Sequence, residues 1–452
     1  MSRVAVVGGG LAGLTAALAC ADAGADVVLL ESRPRLGGLT ASFRRGGLDV
    51  DTGQHVFLRC CTSYLGLVDR LGVRDRVHLQ PRLDIPVLTP GRARPVRLRR
   101  SGAPAPLHLG AALARYAVLP PADRLRAVRG ALALRRVDPR APATDAQSFG
   151  DWLARHGQNA RTVAALWDLV GVAALNSAAA DASLALAATV FQEGLLTDAP
   201  AADIGWSLVP LGELHGTAGA RALADAGGEV RTSARVTALR PAPAGWEVDV
   251  REGAPLTVDG VVLAVPAPAA EELLPPGALA SPPGWAARLG SAPIVNVHVV
   301  LDRQVLHEPF VAGVGTPVQW VFDRTAQSGL TTGQYLAVSL SAAQAWIDRP
   351  AADVLGEILP ALRALLPAMA GTEVRDAFVT RERAATFAPR PGTAADRPGP
   401  RTRAPGLVVA GAWTDTGWPA TMEGAVRSGA AAARALVAEL TGPTVREGVA
   451  AA

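Results

Sequence analysis

The stretch from Val4 to Glu31 constrains this chain more than any other. Val4-Ala5-Val6-Val7 is a continuous apolar run, the pattern of a parallel strand buried on both faces. It leads into Gly8-Gly9-Gly10-Leu11-Ala12-Gly13, a G-x-G-x-x-G turn, and then into a small-residue helix that Gly24 ends. A second apolar run, Val27 to Leu30, closes on Glu31. In such a unit Gly8 makes the tight turn, Gly10 lets backbone approach a pyrophosphate, and Gly13 lets helix pack on strand. The helix start at Leu11 and Ala12 offers unpaired N–H groups and a positive dipole end. Glu31 is placed to accept from ribose hydroxyls, and its charge repels a 2′-phosphate. The competing reading is a signal peptide, since Met1-Ser2-Arg3 is basic and Ala19-Cys20 is a small-residue pair. Glycines break its apolar core and the chain continues as a strand, so the dinucleotide site is preferred.

Composition fits a soluble enzyme. The 452 residues allow two or three domains with a substantial core. No apolar stretch approaches a membrane span; the nearest, Val163 to Leu175, is short and holds Asp168. Three cysteines, two of them adjacent as Cys60-Cys61, make neither a disulfide framework nor a metal-ligand spacing. A reducing, cytoplasmic setting is expected, and no metal. The net charge of +4 is too small an excess to argue for nucleic acid. There is no lysine, which removes Schiff-base chemistry.

Past Glu31 the chain reads Ser32-Arg33-Pro34-Arg35-Leu36-Gly37-Gly38. Acid, arginine four residues on, then a glycine doublet resembles FAD enzymes of the amine oxidase and phytoene desaturase superfamily. The resemblance implies that Arg35, Gly37, Gly38 and Leu39 lie against the FAD pyrophosphate and ribityl chain. Arg44 to Asp51 reads as a hairpin turning at Gly46-Gly47. The longer run GGLTASFRRGGLDVDTGQHVFLRCCT is similar to the hydroxysqualene dehydroxylases. His55 then has two readings of equal weight: an acid that protonates a leaving hydroxyl, or a histidine that orients its loop. Cys60 and Cys61 read as small buried hydrophobes.

The Rossmann pattern stops between Pro81 and about Pro200. Arg92, Arg94, Arg97, Arg99 and Arg100 form one basic stretch, and Arg124, Arg126, Arg129, Arg135 and Arg136 stud an apolar helical one. A solvated face on a helical cap and a peripheral membrane surface both fit this pattern. Trp152, Trp167 and their apolar neighbours between Phe149 and Phe191 read as packed helices, some residues lining a tunnel for a long isoprenoid. Ile294 to Leu301 and Tyr335 to Leu340 read as strands, Val354 to Leu366 as a helix, and Arg390 to Pro405 as an exposed connector.

The C-terminal block supplies the second signature: Leu407-Val408-Val409-Ala410-Gly411, then Ala412-Trp413-Thr414-Asp415-Thr416-Gly417-Trp418-Pro419-Ala420-Thr421-Met422-Glu423-Gly424. It resembles the superfamily's last FAD motif, a strand ending in glycine and a helix beginning near Thr421. The resemblance places Gly411, Ala412, Thr421 and Met422 at the flavin end and Val236 at the adenine. Relatives usually carry aspartate where this chain has Ala412, so that contact falls to Thr414 or Asp415 or is lost. The implied fold is α/β: a Rossmann-like FAD-binding domain of the GR2 type from residues 1–80, 205–266 and 405–440, with an inserted α+β substrate domain from residues 81–204 and 267–404.

The resemblance implies FAD as cofactor, a C30 isoprenoid alcohol as substrate, and an external electron donor that the sequence does not identify. His55 is the expected acid, helped by Asp51, with Glu423 as substitute. Two rivals remain: a carotenoid-type desaturase that runs the flavin in the other direction, and a prenyl-lipid-binding protein without redox chemistry.

Overall fold

The computed structural model describes residues 1–92 and 94–441. Every residue from Val4 to Val7 is apolar and buried, so the Arg3–Val7 strand needs cover on both faces and takes the centre of a sheet. Five parallel strands run in the order Glu229–Arg231, Asp26–Leu30, Arg3–Val7, Gly260–Leu263 and Leu407–Val409. Ala5 stands opposite Val28 on one side and Val261 on the other. The helices Leu11–Asp22 and Met422–Thr441 cover one face through Leu14, Leu18, Val426 and Leu436. A three-stranded antiparallel sheet, Val236–Ala242, Gly245–Val250 and Leu256–Val258, covers the other through Val236, Leu239, Trp246 and Val248. One α/β body is thus assembled from three distant stretches of chain.

The hairpin Ser42–Arg45 and Leu48–Asp51 turns at Gly46 and Gly47, both with positive φ as a two-residue turn requires. Beyond it lies a seven-stranded mixed sheet in the order Val374–Thr386, Ala292–Leu301, Gln334–Leu340, Trp320–Asp323, Phe310–Gly313, Asp84–Leu88 and Val96–Arg99. Two of these strands come from residues 81–100, where the Rossmann pattern stops, and one of them, Val96–Arg99, lies in the basic stretch from Arg92 to Arg100. Their arginines are partly consumed there: Arg97 pairs with Asp84 and Glu308, and Arg100 with the fully buried Asp203. One face of the sheet packs Val295, Val297, Val299 and Leu301 under the helix Ala351–Leu365. The opposite face presents Phe310 and Phe322 to Tyr116, Leu119, Ala165 and Leu169 of the helical insertion. Asn176 ends the Asp168–Leu175 helix in the left-handed conformation, and its amide bonds Ala292, Thr386 and Ala342, tying that insertion to the sheet. Among the described residues no helix is long and apolar enough to cross a membrane.

Candidate dinucleotide and active site

The cradle is shaped by what its glycines exclude. Gly8 has φ +109°, and a Cβ on it would stand 2.5 Å from the Ala264 carbonyl oxygen. A Cβ on Gly13 would come within 1.8 Å of the Gly8 carbonyl oxygen, so helix and strand touch backbone to backbone. Gly10 is different: a Cβ there meets only the Cα of Gly38, at 3.8 Å, and otherwise points into open space. Gly38, with φ +57°, faces it from the doublet, which the Gly37 N–H ties to the Gly9 carbonyl at 2.8 Å. No side chain caps the Leu11–Asp22 helix, so the first amides, those of Leu11 and Ala12, keep their capacity for an anion.

Glu31 is buried at the end of its strand, where its carboxylate accepts from the Gly9 N–H at 2.7 Å and the Arg33 N–H at 2.8 Å. Ser32 Oγ also donates to Oε1, at 3.1 Å, so it is Oε2, bonded by Gly9 alone, that keeps a lone pair for a ribose hydroxyl. The stretch leading to Val236 runs beside it, with the Ala234 N–H donating to the Glu31 carbonyl. Arg35 is exposed and forms no ion pair among the described residues, and Leu39 is exposed with its carbonyl accepting from Thr52 Oγ1.

At the other end, Gly411 donates its N–H to Ser428 Oγ at 2.6 Å, and Thr414 Oγ1 bonds both the Gly411 carbonyl and Ser428. Thr414 is thereby used inside the loop, while Asp415 is exposed and caps the Gly417 N–H. Thr414 is thus engaged, while Asp415 keeps its second carboxylate oxygen without a partner among the described residues. Thr421 accepts from the Gly424 N–H at 3.1 Å, starting the C-terminal helix at a buried Met422. Gly429 presses that helix onto the first one, since a Cβ would fall 2.1 Å from the Ala12 carbonyl oxygen. Sequence reasoning missed Arg397, read as part of an exposed connector. It is buried and its guanidinium holds the carbonyls of Trp413, Thr414 and Trp418; burial brings its pKa down to about 10. A lone arginine in a proline-rich run carries no periodic signal that would mark it.

The expected acids fall in three environments. His55 is half-buried, and its Nδ1 lies 3.2 Å from the Gly53 carbonyl, which makes Nδ1 a donor and leaves Nε2 for other partners. Burial lowers its pKa; the Gly53 bond and the charge of Asp51 oppose that, and Arg324 adds to it. Asp51 is buried, accepting from Ser42 Oγ at 2.6 Å, the Leu211 N–H at 2.9 Å and Arg324 at 2.5 Å. Arg324 was missed because its partner lies 273 positions away. Glu423 has no exposure at all: it accepts from the Ser63 and Tyr64 N–H groups and from Arg427. It therefore anchors the start of the Thr62–Arg70 helix. The Tyr64 hydroxyl sits 2.9 Å from His215 Nε2, and burial, with His55 nearby, pulls His215 down to about 3. Cys61 packs in the cofactor-domain core, its bond to Cys60 and burial raising its pKa.

The open Gly10–Gly38 gap, the uncapped helix start and Glu31 together fit an adenine dinucleotide laid across the strand ends. The sequence profile described as flavin containing amine oxidoreductase matches residues 11–437. A hydroxysqualene dehydroxylase of Rhodopseudomonas palustris is 31% identical over 452 aligned residues, covering 96% of this chain and 98% of that protein. A 15-cis-phytoene desaturase of Solanum lycopersicum is 25% identical, over 96% of this chain and 77% of its own length. Among solved structures, cyclohexylamine oxidase from Brevibacterium oxydans superposes with a TM-score of 0.68 at 19% identity, covering 97% of this chain and 99% of that one. The chain belongs to the flavin containing amine oxidoreductase family and is an FAD-dependent oxidoreductase.

Proposed function

We propose that this enzyme removes the hydroxyl of a long isoprenoid alcohol, converting hydroxysqualene to squalene. The observation that carries this reading is the near end-to-end likeness to a hydroxysqualene dehydroxylase. The sheet face opposite the Ala351–Leu365 helix supports it, because Phe310, Phe322 and Trp320 meet Leu166, Leu169 and Leu195 there in an apolar layer suited to a hydrocarbon.

A departing hydroxyl needs a proton as its C–O bond breaks, and the carbon needs a hydride; the products are water and the hydrocarbon. Hydride is what reduced FAD supplies when bound, an external donor having reduced it. His55 is assigned the proton: with Nδ1–H held by Gly53, the imidazolium carries its transferable proton on Nε2. Asp51 supports the charged ring through its field and Arg324 holds Asp51 in place. Glu423, saturated by Ser63, Tyr64 and Arg427, is reassigned from substitute acid to anchor. The apolar layer keeps water from the reacting carbon.

The test is anaerobic incubation of FAD-loaded, chemically reduced protein with hydroxysqualene, following flavin absorbance and extracted lipid. Squalene appearing as flavin reoxidises is expected, and His55→Ala should slow it by about 10²-fold or more with FAD retained. Flavin that stays reduced overturns the reading and favours the desaturase alternative, which the likeness to phytoene desaturases keeps in view.

A peripheral contact with anionic lipid accompanies this function. Residues 92–140 hold twelve arginines against two aspartates, a net +10 in a chain whose total is +4. Leu107, Leu125 and Leu132 stand out from that segment at 68%, 53% and 45% exposure. Arg129, Arg135 and Arg136 are exposed beside them, unpaired among the described residues. Apolar tips amid free arginines suit a negatively charged bilayer surface.

A further inference from the structure

Asn296 lies inside the Ala292–Leu301 strand, hydrogen-bonded to a neighbouring strand on each side, and has no exposed surface. Its backbone is part of the ladder, yet neither Oδ1 nor Nδ2 finds a hydrogen-bond partner among the described residues. An unpaired carboxamide in a sheet interior is destabilising where an apolar residue of similar size is not. Its two polar atoms are thus left for a partner from outside the chain, a buried water or a ligand.

Strand alternation says where the amide is aimed. Val295 and Val297 enter the core beneath the Ala351–Leu365 helix, so Asn296 projects to the opposite face, the one that carries Phe322 and Trp320. Directly beside it on that face stand Ser339 from one neighbouring strand and Thr380 from the other. The Thr380 hydroxyl is engaged by His298 Nε2 at 2.9 Å, and His298 Nδ1 by the Tyr335 hydroxyl at 2.6 Å. Burial holds His298 near pKa 3, so it stays neutral, and this small network closes on itself without reaching Asn296. Ser339 is the residue of this row that keeps a sliver of exposure while its side chain bonds nothing described.

We propose that the Asn296 carboxamide, with Ser339 beside it, binds the hydroxyl of the isoprenoid alcohol; this rests on the alcohol-substrate reading above. A carboxamide offers one donor and one acceptor function, which is what a hydroxyl needs, and an alkene satisfies neither. The pair would therefore hold the alcohol with its C–O bond fixed and lose its grip once that bond is gone. Discrimination of this kind is strong, because a site built to bond a hydroxyl leaves its own polar groups unpaired with the analogue lacking it. Substrate is thus retained and hydrocarbon product released by the same residue.

The experiment compares wild type and Asn296→Leu as FAD-loaded, oxidised proteins. It measures equilibrium binding of hydroxysqualene and of squalene, FAD content and melting temperature. The expected result is a dissociation constant for hydroxysqualene raised at least about tenfold, with that for squalene changed less than about twofold. FAD content should be unchanged, and the melting temperature should rise by roughly a few degrees because an unpaired amide has been removed. Equal weakening of both ligands, unchanged binding of both, or loss of FAD would each overturn the assignment. Should Asn296→Leu misfold, Asn296→Ser, smaller and polar, is measured in its place with the same two ligands. Wild type that turns over hydroxysqualene while the variant binds it normally removes Asn296 alone; wild type that neither prefers nor converts the alcohol removes the parent reading with it.

Discussion

At the Gly10–Gly38 cradle, room for a ligand is made by taking side chains away: two backbones face each other across open space, and the amides at a helix start are left without a side-chain cap. On the sheet face around Asn296 the opposite is done. Side chains are present, polar and buried, with one amide left unpaired. The first arrangement serves a ligand made once and kept, since backbone geometry cannot adapt and has no need to. The second serves a ligand that changes during turnover, since a side-chain hydrogen bond can be made to the substrate and be missing for the product. Substitutions in the two regions should accordingly fail in different ways.

The largest effect is expected at Gly13, whose Cβ would sit 1.8 Å from the Gly8 carbonyl oxygen. Gly13→Ala must move a strand or a helix, and a loss of more than about 3 kcal/mol is expected, together with loss of FAD. A urea unfolding midpoint near wild type with flavin bound would show that the two elements slide more freely than their packing implies. Next comes Arg324, whose removal leaves Asp51 buried beside only neutral donors. Arg324→Leu should cost about 3 kcal/mol. It should also raise the pKa of His55, because a cation that lowers it is gone while Asp51 remains. An imidazole titration by NMR that does not move would detach His55 from this ion pair.

A smaller effect, over any single pH unit, comes from His215 and His298, both held near 3 by burial. Unfolded, they titrate at about 6.5, so between these values the unfolded chain binds more protons than the folded one. Stability is therefore full above about pH 6.5 and is lost as pH falls towards 3, approaching about 1.4 kcal/mol per pH unit for each histidine. His298→Phe should flatten the slope of stability against pH between 7 and 5. An unchanged slope would mean that the Tyr335–His298–Thr380 network opens before it protonates.

How far each region was legible in the sequence follows from the same contrast. Gly8 and Gly13 are forced by backbone geometry, and such requirements are written in residue type and spacing, so the parallel sheet and a dinucleotide site could be read from Val4 to Glu31, whereas FAD itself was legible only through the resemblance carried by Arg35, Gly37, Gly38 and the C-terminal block. The hairpin at Gly46-Gly47 and the helix starting after Thr421 were legible for that reason too. Arg324 and Arg397 were not, because an arginine that reaches a carboxylate or carbonyls far away in the chain looks like any surface arginine. The anchoring contacts of Glu423 were not legible either, because its three donors come from two helices that only the fold brings together. Asn296 is invisible for a further reason: in Ile294 to Leu301 it occupies an alternate position of a half-polar strand, where an asparagine facing water is the ordinary expectation.

The smallest expected effect on stability is the most informative about the cradle. Gly10 has φ −78° and ψ −179°, a conformation alanine adopts without strain, and its added Cβ would meet nothing closer than 3.8 Å. Gly10→Ala should leave the apoprotein unharmed or stabilise it by about 0.5 kcal/mol, since the unfolded chain loses freedom. The same methyl group occupies the gap that a pyrophosphate must enter, so FAD affinity should fall at least about tenfold. Paired with Gly13→Ala, this separates glycines that the fold requires from a glycine that only the ligand requires. If Gly10→Ala retained FAD at wild-type affinity, the dinucleotide would have to lie outside the Gly10–Gly38 gap. The contrast between backbone recognition here and side-chain recognition at Asn296 would then lose its first half.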